Sequence, residues 1–586
     1  HSNNPTILCE LADSLYKLEN FTEAEKHYES ALKLSPKSLK ILASAGAFYQ
    51  NTRKSKNALE VYKRYLDINP KDVGMRNNLG IVYRDLELFD EAEATYLESV
   101  NQSKLSTFVY NNLAILAMEM GKPTESVDYY NKVLEIDPNY ASARSNMLFY
   151  MNYLSSISAE EIYQEHIKWD DMHGIPLLKD EIVHGNDIST DRKLRIGYIS
   201  SDFYGHAVSY FTEAALKNHD TDNFDIFCYA DVKTPDNLTK RLKSYNNTWR
   251  DIQPLKPEET ADLIRNDKID ILVDLSGHTA GHKLIELSMK PAPVQVTWIG
   301  YPNTTGLKTM DYRFVDHITD PVGLADEIHS EKLWRLPRSF TCYTPQKDEP
   351  SKTSLPARKN GYITFGSFNN STKLSDSCIS FWSKIINSVK GSRLILKSAS
   401  LGGKQTQDRF IKLFKKYGVD SSRISMLGRL PGAEHLRYYD NIDICLDAYP
   451  YHGTTTSCEA LSMGTPIITL MGDRHAARVT GSLLHQVNLG HLAGNTEDEC
   501  VKIAINLASD IDKLEDICLG LREAVLASPL CDEVGHTREI EDAYREMWKI
   551  WCSEEPARRL ERKKLGHSET EPFKPSLGII HSFNNR

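Results

Sequence analysis

The sequence predicts an α-helical tetratricopeptide superhelix followed by two α/β domains built on parallel sheets. Three observations carry this. A 34-residue period runs through the first 150 residues, and beyond residue 190 short apolar runs alternate with helical patterns. Residues 443–466 (DICLDAYPYHGTTTSCEALSMGTP) then read as strand, glycine-containing turn and helix N-terminus, an arrangement suited to a diphosphate.

The period is seen in several columns. Pro36, Pro70 and Pro138 are separated by 34 and 68 residues, with Lys104 at the remaining position. In the same register stand Tyr28, Tyr62, Tyr96 and Tyr130, then Ala24, Ala58, Ala92 and Ser126, then Ala12, Gly46, Gly80 and Ala114. Small residues where helices cross, an aromatic on the second helix and a terminating proline make the tetratricopeptide pattern. A lone helix pair cannot bury its apolar face, so pairs stack into a superhelix with a concave surface. Asn78, Asn112 and Asn146 share the register just before the small-residue column. A ladder of carboxamides there is expected to bond the backbone of an extended acceptor peptide; the plainer alternative is that Asn merely tolerates an exposed helix position. The first repeat opens almost at residue 1 and the chain starts His1-Ser2 without Met, so further repeats are expected upstream. A homodimer through the repeats is a further expectation.

The expected organisation is repeats over 1–150, capping or linking helices over 151–190, a first α/β domain over 191–343, a polar linker over 344–361, a second α/β domain over 362–553 and a polar basic tail over 554–586. In the first α/β domain, 194–200, 224–230 and 269–275 read as strands and 258–266 as helix. In the second, 362–368, 393–397, 423–427, 442–446 and 466–470 read as strands. Residues 538–551 form an amphipathic helix with Ile540, Ala543, Tyr544, Met547, Trp548 and Trp551 on one face. Arg558, Arg559, Arg562, Lys563 and Lys564 read as a solvated tail in preference to a nuclear-import signal.

Composition narrows the function classes. A net charge of −10 argues against a general nucleic-acid binder, and no apolar run approaches the length of a membrane span. Ten cysteines without a C-x-x-C pair read as reduced residues of a cytosolic or nuclear protein. Neither a Walker lysine motif nor G-x-S-x-G occurs. No metal is expected: His278 and His282 are four apart but lack a third ligand, and Asp220/Asp222 and Asp510/Asp512 do not follow strands.

Tandem α/β domains place a cleft between the carboxyl ends of their strands, and several polar residues fall there. His206 reads as a base or orienting group, or as an exposed loop histidine. Asp274 reads as a second catalytic candidate, or as a helix cap. Lys373 reads as the cation that neutralises a leaving diphosphate, or as a surface lysine. Thr454, Thr455 and Thr456 cap the helix after Gly453 or bind phosphate oxygens, and Glu459 is placed in its first turn, within reach of a ribose.

With these residues in hand, ISSDFYGHAVSYF (199–211), DILVDLSGHTAGHKL (270–284), KPAPVQVTWIGYPNTTGLKTMDYRFVD (290–316), FGSFNNSTKLS (365–375) and CLDAYPYHGTTTSCEALSMGTP (445–466) resemble the nucleocytoplasmic O-GlcNAc transferase family. Within it the chain is most similar to the SPINDLY-type protein O-fucosyltransferase branch, from the repeats to about residue 553. The resemblance implies a GT-B fold, inverting and metal-independent glycosyl transfer without a cofactor, and Ser/Thr of nuclear and cytoplasmic proteins as acceptors. It implies a donor role for Lys373, a catalytic-site role for His206, and nucleoside packing by His435 with Leu430 and Gly432 at the base. Thr455 and Thr456 match diphosphate hydroxyls, Glu459 a ribose-binding acid, and Asn370 a Gln of the O-GlcNAc transferases. The last helix is expected to cross back between the two lobes.

The chain departs from the O-GlcNAc pattern at Thr454, where a His stands in those transferases, and at Gly432, where a uridine-side Lys stands. The long insert between their lobes is reduced here to the 344–361 segment. GDP-fucose is therefore the expected donor, with UDP-GlcNAc as the alternative. An inert scaffold bearing a repeat array is the reading from another class, and retention of Lys373, the threonine run and Glu459 together argues against it.

Overall fold

The structure, a computed structural model, describes residues 4–178, 182–345 and 352–564. Eight helices form four consecutive pairs: α1 (Pro5–Lys17) with α2 (Phe21–Leu34), α3 (Leu39–Asn51) with α4 (Ser55–Ile68), α5 (Val73–Asp85) with α6 (Phe89–Gln102), and α7 (Thr107–Glu119) with α8 (Pro123–Ile136). The tyrosine column explains the small-residue column. Tyr28, Tyr62, Tyr96 and Tyr130 are at most 1% exposed. A methyl group on Gly46 would overlap the Tyr62 ring, and one on Gly80 the Tyr96 ring. Ser126, the polar member of its column, donates to the Ala114 carbonyl at 2.7 Å and so ties α8 to α7.

Two further helices, α9 (Ala141–Met151) and α10 (Ala159–Trp169), cap the array, α10 starting in a Ser158/Glu161 capping box. They are not a flexible joint. Met147, Leu148, Ile162 and Trp169 share one buried apolar cluster with Ile199, Leu272 and Leu284 of the next domain. Continuous burial of this kind makes the array and the first lobe one packed body.

The first lobe holds seven parallel strands: β1 (Leu194–Ser200), β2 (Phe224–Ala230), β3 (Thr248–Asp251), β4 (Ile271–Asp274), β5 (Val294–Thr297), β6 (Tyr312–Asp316) and β7 (Lys332–Leu336), in the order β3-β2-β1-β4-β5-β6-β7. The second lobe holds β8 (Thr364–Ser367), β9 (Arg393–Lys397), β10 (Ile424–Leu427), β11 (Ile444–Leu446), β12 (Ile467–Leu470) and β13 (Ala493–Gly494), also parallel, in the order β10-β9-β8-β11-β12-β13. Eight expected strands are present. Those not foreseen, β3, β5, β6, β7 and β13, are two to five residues long, and length alone does not set them apart from the equally short strands that were foreseen.

Two expectations about connections are corrected. The 344–361 segment, of which 346–351 lie outside the described residues, is no free linker. The buried Lys352 donates to the Ile442 carbonyl at 2.6 Å and to Thr465 Oγ1 at 3.0 Å, and Ala357 N–H donates to Asp443 at 2.9 Å. The last helix runs Glu533–Lys564, well past residue 551, into a charged stretch that has no apolar face to mark it. Residues beyond 564 of the expected tail lie outside the described residues. All six residues of the foreseen apolar face are buried, in the core of the first lobe, with Tyr544 Oη 3.0 Å from Tyr198 Oη. The chain thus returns to the lobe it left.

The packing makes one expectation specific. Gly80→Ala should cost about 1–3 kcal/mol by overpacking against Tyr96, despite the helix propensity gained. Gly74→Ala on the same helix meets only Asp72 Oδ1 at 3.4 Å. It should be neutral or stabilising, and denaturant midpoints of the two variants check the contrast.

Candidate active site

The carboxyl edges of the two sheets face each other across a cleft of about 1080 Å³. Asp202 and His206 line it from the first lobe, and Asn370, Lys373, Tyr451 and Thr454–Thr456 from the second. The repeat array also reaches it, through Arg53, Asn146, Phe149 and Tyr150.

Lys373 ends a short helical turn, Ser371–Lys373, that follows β8 and is capped by Asn370, whose carboxamide oxygen accepts from Thr372 N–H at 3.2 Å. Its Nζ donates to the His452 carbonyl at 2.6 Å and stands 4.2 Å from the centre of the Tyr451 ring. Burial pushes the ammonium down to about 8, with the Asp447 carboxylate opposing the shift. A cation under such tension gains from any anion that enters the cleft.

The glycine turn and the helix Thr455–Ser462 after it are held from below. Asp447, buried at the end of β11, accepts from Ala448 N–H at 2.9 Å, Gly453 N–H at 2.8 Å and Thr469 Oγ1 at 3.0 Å. The Gly453 amide is therefore spent on the fold. Thr454 sits at the N-cap without making a side-chain cap bond, which leaves the first-turn amides facing the cleft unclaimed by it. Thr456 Oγ1 donates to Asn369 Oδ1 at 3.1 Å, so this hydroxyl is oriented by its neighbour.

Leu430, Gly432, His435 and Glu459 are outside the lining of this cleft. His435 Nε2 is 3.1 Å from Glu459 Oε2, and its ring centre is 5.6 Å from that of Phe368. Glu459 lies in the second turn of its helix, not the first, because the helix starts only at Thr455. Gly432 is exposed, and a Cβ built there would meet nothing within 4 Å. His435 Nδ1 is buried without a hydrogen-bond partner.

His206 is the N-cap of the Ala207–Asn218 helix. Its Nδ1 accepts from Val208 N–H at 3.4 Å and lies 3.6 Å from Asp202 Oδ2. With Nδ1 accepting, the neutral ring carries its proton on Nε2. Asp274 is corrected. It is wholly buried and accepts from Ser276 N–H at 3.1 Å, Gly277 N–H at 2.9 Å and Thr297 Oγ1 at 3.0 Å. Burial raises its pKa. It braces the loop after β4 and has no surface to offer a substrate.

Of the asparagine column, Asn146 lines the cleft. Asn78 and Asn112 are half-buried further along the array, Asn112 Nδ2 donating to Asn77 Oδ1 at 2.8 Å. The sequence places Asp202 at the end of the first strand without assigning it a role, and Asp447, Tyr451 and Lys397 were missed. The last is buried at the end of β9, its Nζ 5.2 Å from the Phe368 ring centre. Each polar one follows or ends an apolar run, the only local signal available. Among the described residues no group of three His, Cys, Asp or Glu side chains converges on a metal-sized site, and no helix is long and apolar enough to cross a membrane. His278, once weighed as a ligand, spends both ring nitrogens on Ser145 Oγ and the Thr305 carbonyl.

A helical repeat array fused to two facing parallel α/β lobes, with a lysine and a helix N-terminus in the cleft between them, is a tetratricopeptide-bearing GT-B fold. The chain belongs to glycosyl transferase family 41, whose model matches residues 168–346 and 351–540. Tetratricopeptide models match 5–72 and 108–140. It is 40% identical over 455 residues to a probable UDP-N-acetylglucosamine–peptide N-acetylglucosaminyltransferase SPINDLY of Solanum lycopersicum, covering 76% of this chain and 49% of that protein. It is 42% identical over 434 residues to the like-named protein of Hordeum vulgare, covering 73% and 46%. The chain thus spans about half the length of the curated relatives it matches. A solved mutant O-GlcNAc transferase of Thermobaculum terrenum superposes with a TM-score of 0.81 at 31% identity, covering 88% of this chain and 98% of that one. The SPINDLY-type character expected from the motifs is seen in the curated relatives, and the O-GlcNAc transferase-like fold in the solved structure.

The depressed Lys373 predicts proton linkage. Above about pH 8 the free amine is mostly neutral, whereas a bound diphosphate favours the ammonium. Nucleoside diphosphate binding should therefore take up a proton at pH 8–9, and affinity should fall by at most about tenfold per pH unit there. Calorimetry in buffers of different ionisation heat measures the uptake, which Lys373→Met should abolish.

Proposed function

We propose that this chain is an inverting, metal-independent protein O-fucosyltransferase that moves fucose from GDP-fucose to Ser or Thr of nuclear and cytoplasmic proteins. The observation that carries the donor assignment is Gly432. Where the O-GlcNAc transferases place a lysine, this chain has an exposed glycine with open space around its Cα. That removes a charged contact suited to uridine and leaves room for a purine. Guanine brings N1–H and N2–H₂ donors that need acceptors, and the backbone carbonyls of Arg429–Gly432 are the nearest candidates. Leaving such acceptors unpaired with the wrong base costs about 1–3 kcal/mol each.

In this reading the acceptor hydroxyl attacks the anomeric carbon from the face opposite the diphosphate. The C–O bond to the β-phosphate breaks, and its electron pair leaves on a phosphate oxygen beside Lys373. The hydroxyl proton passes to a base on the acceptor side, where Asp202 and His206 line the cleft. GDP-β-L-fucose would give an α-linked product. Replacing Lys373 by Ala should lower turnover by about 10²–10³.

The second reading, transfer of N-acetylglucosamine from its UDP conjugate, is favoured by the names of the relatives. Titration of GDP against UDP and mass spectrometry of an acceptor peptide separate the two. Tighter GDP binding and a deoxyhexose adduct are expected; tighter UDP binding and an N-acetylhexosamine adduct would establish the second reading.

Acceptor binding is assigned to the array groove. Replacing Asn78, Asn112 and Asn146 together by Ala should weaken glycosylation of protein acceptors at least about tenfold while donor hydrolysis to water changes little, each lost backbone bond being worth roughly 1 kcal/mol. Equal loss of both activities would remove the ladder from the acceptor site.

A further inference from the structure

The charge on Lys373 is held without a paired carboxylate. A carbonyl, that of His452, takes one hydrogen bond, and the Tyr451 ring lies beneath the ammonium at 4.2 Å. A ring face and a carbonyl stabilise a cation without neutralising it, so the whole charge stays available to an entering diphosphate.

The ring beneath the lysine is in turn held by the repeat array. Tyr153, just beyond α9, packs on Tyr451 with ring centres 4.6 Å apart, and Phe149 of α9 meets it edge-on at 6.0 Å. Phe149 and Tyr153 contact each other at 5.6 Å, and Phe149 also approaches Tyr301 of the first lobe at 6.3 Å. A second contact reaches the same place. Gly121, after α7, stands so close to the Ser371–Lys373 turn that an added Cβ would come within 3.0 Å of the Leu374 carbonyl. Asn146, the ladder rung at the cleft, is three residues before Phe149 on α9.

We propose that Tyr451 is a positioning residue for Lys373, seated against Phe149 and Tyr153, so that the acceptor-binding array is built into the donor side of the cleft. The consequence is that the two substrates are sensed by one packed unit: α9 presents Asn146 to the acceptor and Phe149 to the ring under the donor cation. The catalytic importance of this arrangement rests on the glycosyl-transfer reading; the arrangement itself does not.

The test reads Lys373 directly. Acetylation of Lys373 by acetic anhydride, quantified by mass spectrometry of the full chain across pH, gives its titration midpoint without any turnover, so the result is separate from whether a given donor is used. The wild-type midpoint is expected near 8. Tyr451→Leu should lower it by about one unit, the loss of one ring–cation contact, while Tyr451→Phe keeps the ring and the midpoint. Phe149→Leu should lower it in the same direction by less, and serves if Tyr451→Leu does not fold. A midpoint unmoved in either leucine variant, one that rises toward the ordinary lysine value because water enters, or one lowered in Tyr451→Phe overturns the assignment.

Discussion

A buried carboxylate at the end of β11 governs the second lobe's side of the cleft. Asp447 gathers the amides of Ala448 and Gly453, the hydroxyl of Thr469 on β12 and, at 3.4 Å, the carboxamide of Asn369 after β8. Three strands' ends are thereby fixed to one point. A charge taken out of water is tolerated only when its lone pairs are filled, and here they are. The result is a turn whose shape is dictated from inside, with Thr454 to Thr456 lining the cleft. Lys373 feels the same carboxylate at longer range, which keeps its ammonium form from being pushed down further.

The first lobe solves the matching problem with Asp274. It sits at the same edge of its sheet and uses the same kind of bonds, two loop amides and one strand threonine. Both lobes therefore brace the loop at the carboxyl end of a central strand with a sealed aspartate. The polar groups that the braces leave lining the cleft are His206 with Asp202 on one side, Lys373 and the threonine run on the other.

The repeat array is more than an appendage carrying a groove. Its last helices share a core with the first lobe, while Gln405 on the helix Lys404–Lys416 of the second lobe donates to Glu91 on α6 at 2.8 Å. Ser155 and Ser377 are 3.2 Å apart, and Arg474 of the second lobe reaches the Ile157 carbonyl. The array thus touches both lobes beside the cleft. The array thereby supplies part of the cleft's wall.

The repeat register, five of the six strands of the second lobe and the apolar face of the last helix were legible in the amino-acid sequence because each is a local pattern. A tyrosine every 34 residues needs its small partner in the same register, and an apolar stripe needs a core. Lys373, His206 and the threonine run were legible for a related reason, since they follow strands and strand ends point into the cleft. The fate of the aspartates was not. Asp274 and Asp447 end apolar runs alike in sequence with any catalytic carboxylate, and only the surrounding amides, supplied by loops and neighbouring strands, show that both are consumed internally. The array's Phe149 and Tyr153 against Tyr451, the ring under Lys373, join residues some three hundred positions apart. No spacing encodes such a contact. It exists because the packed core carries α9 to the mouth of the cleft.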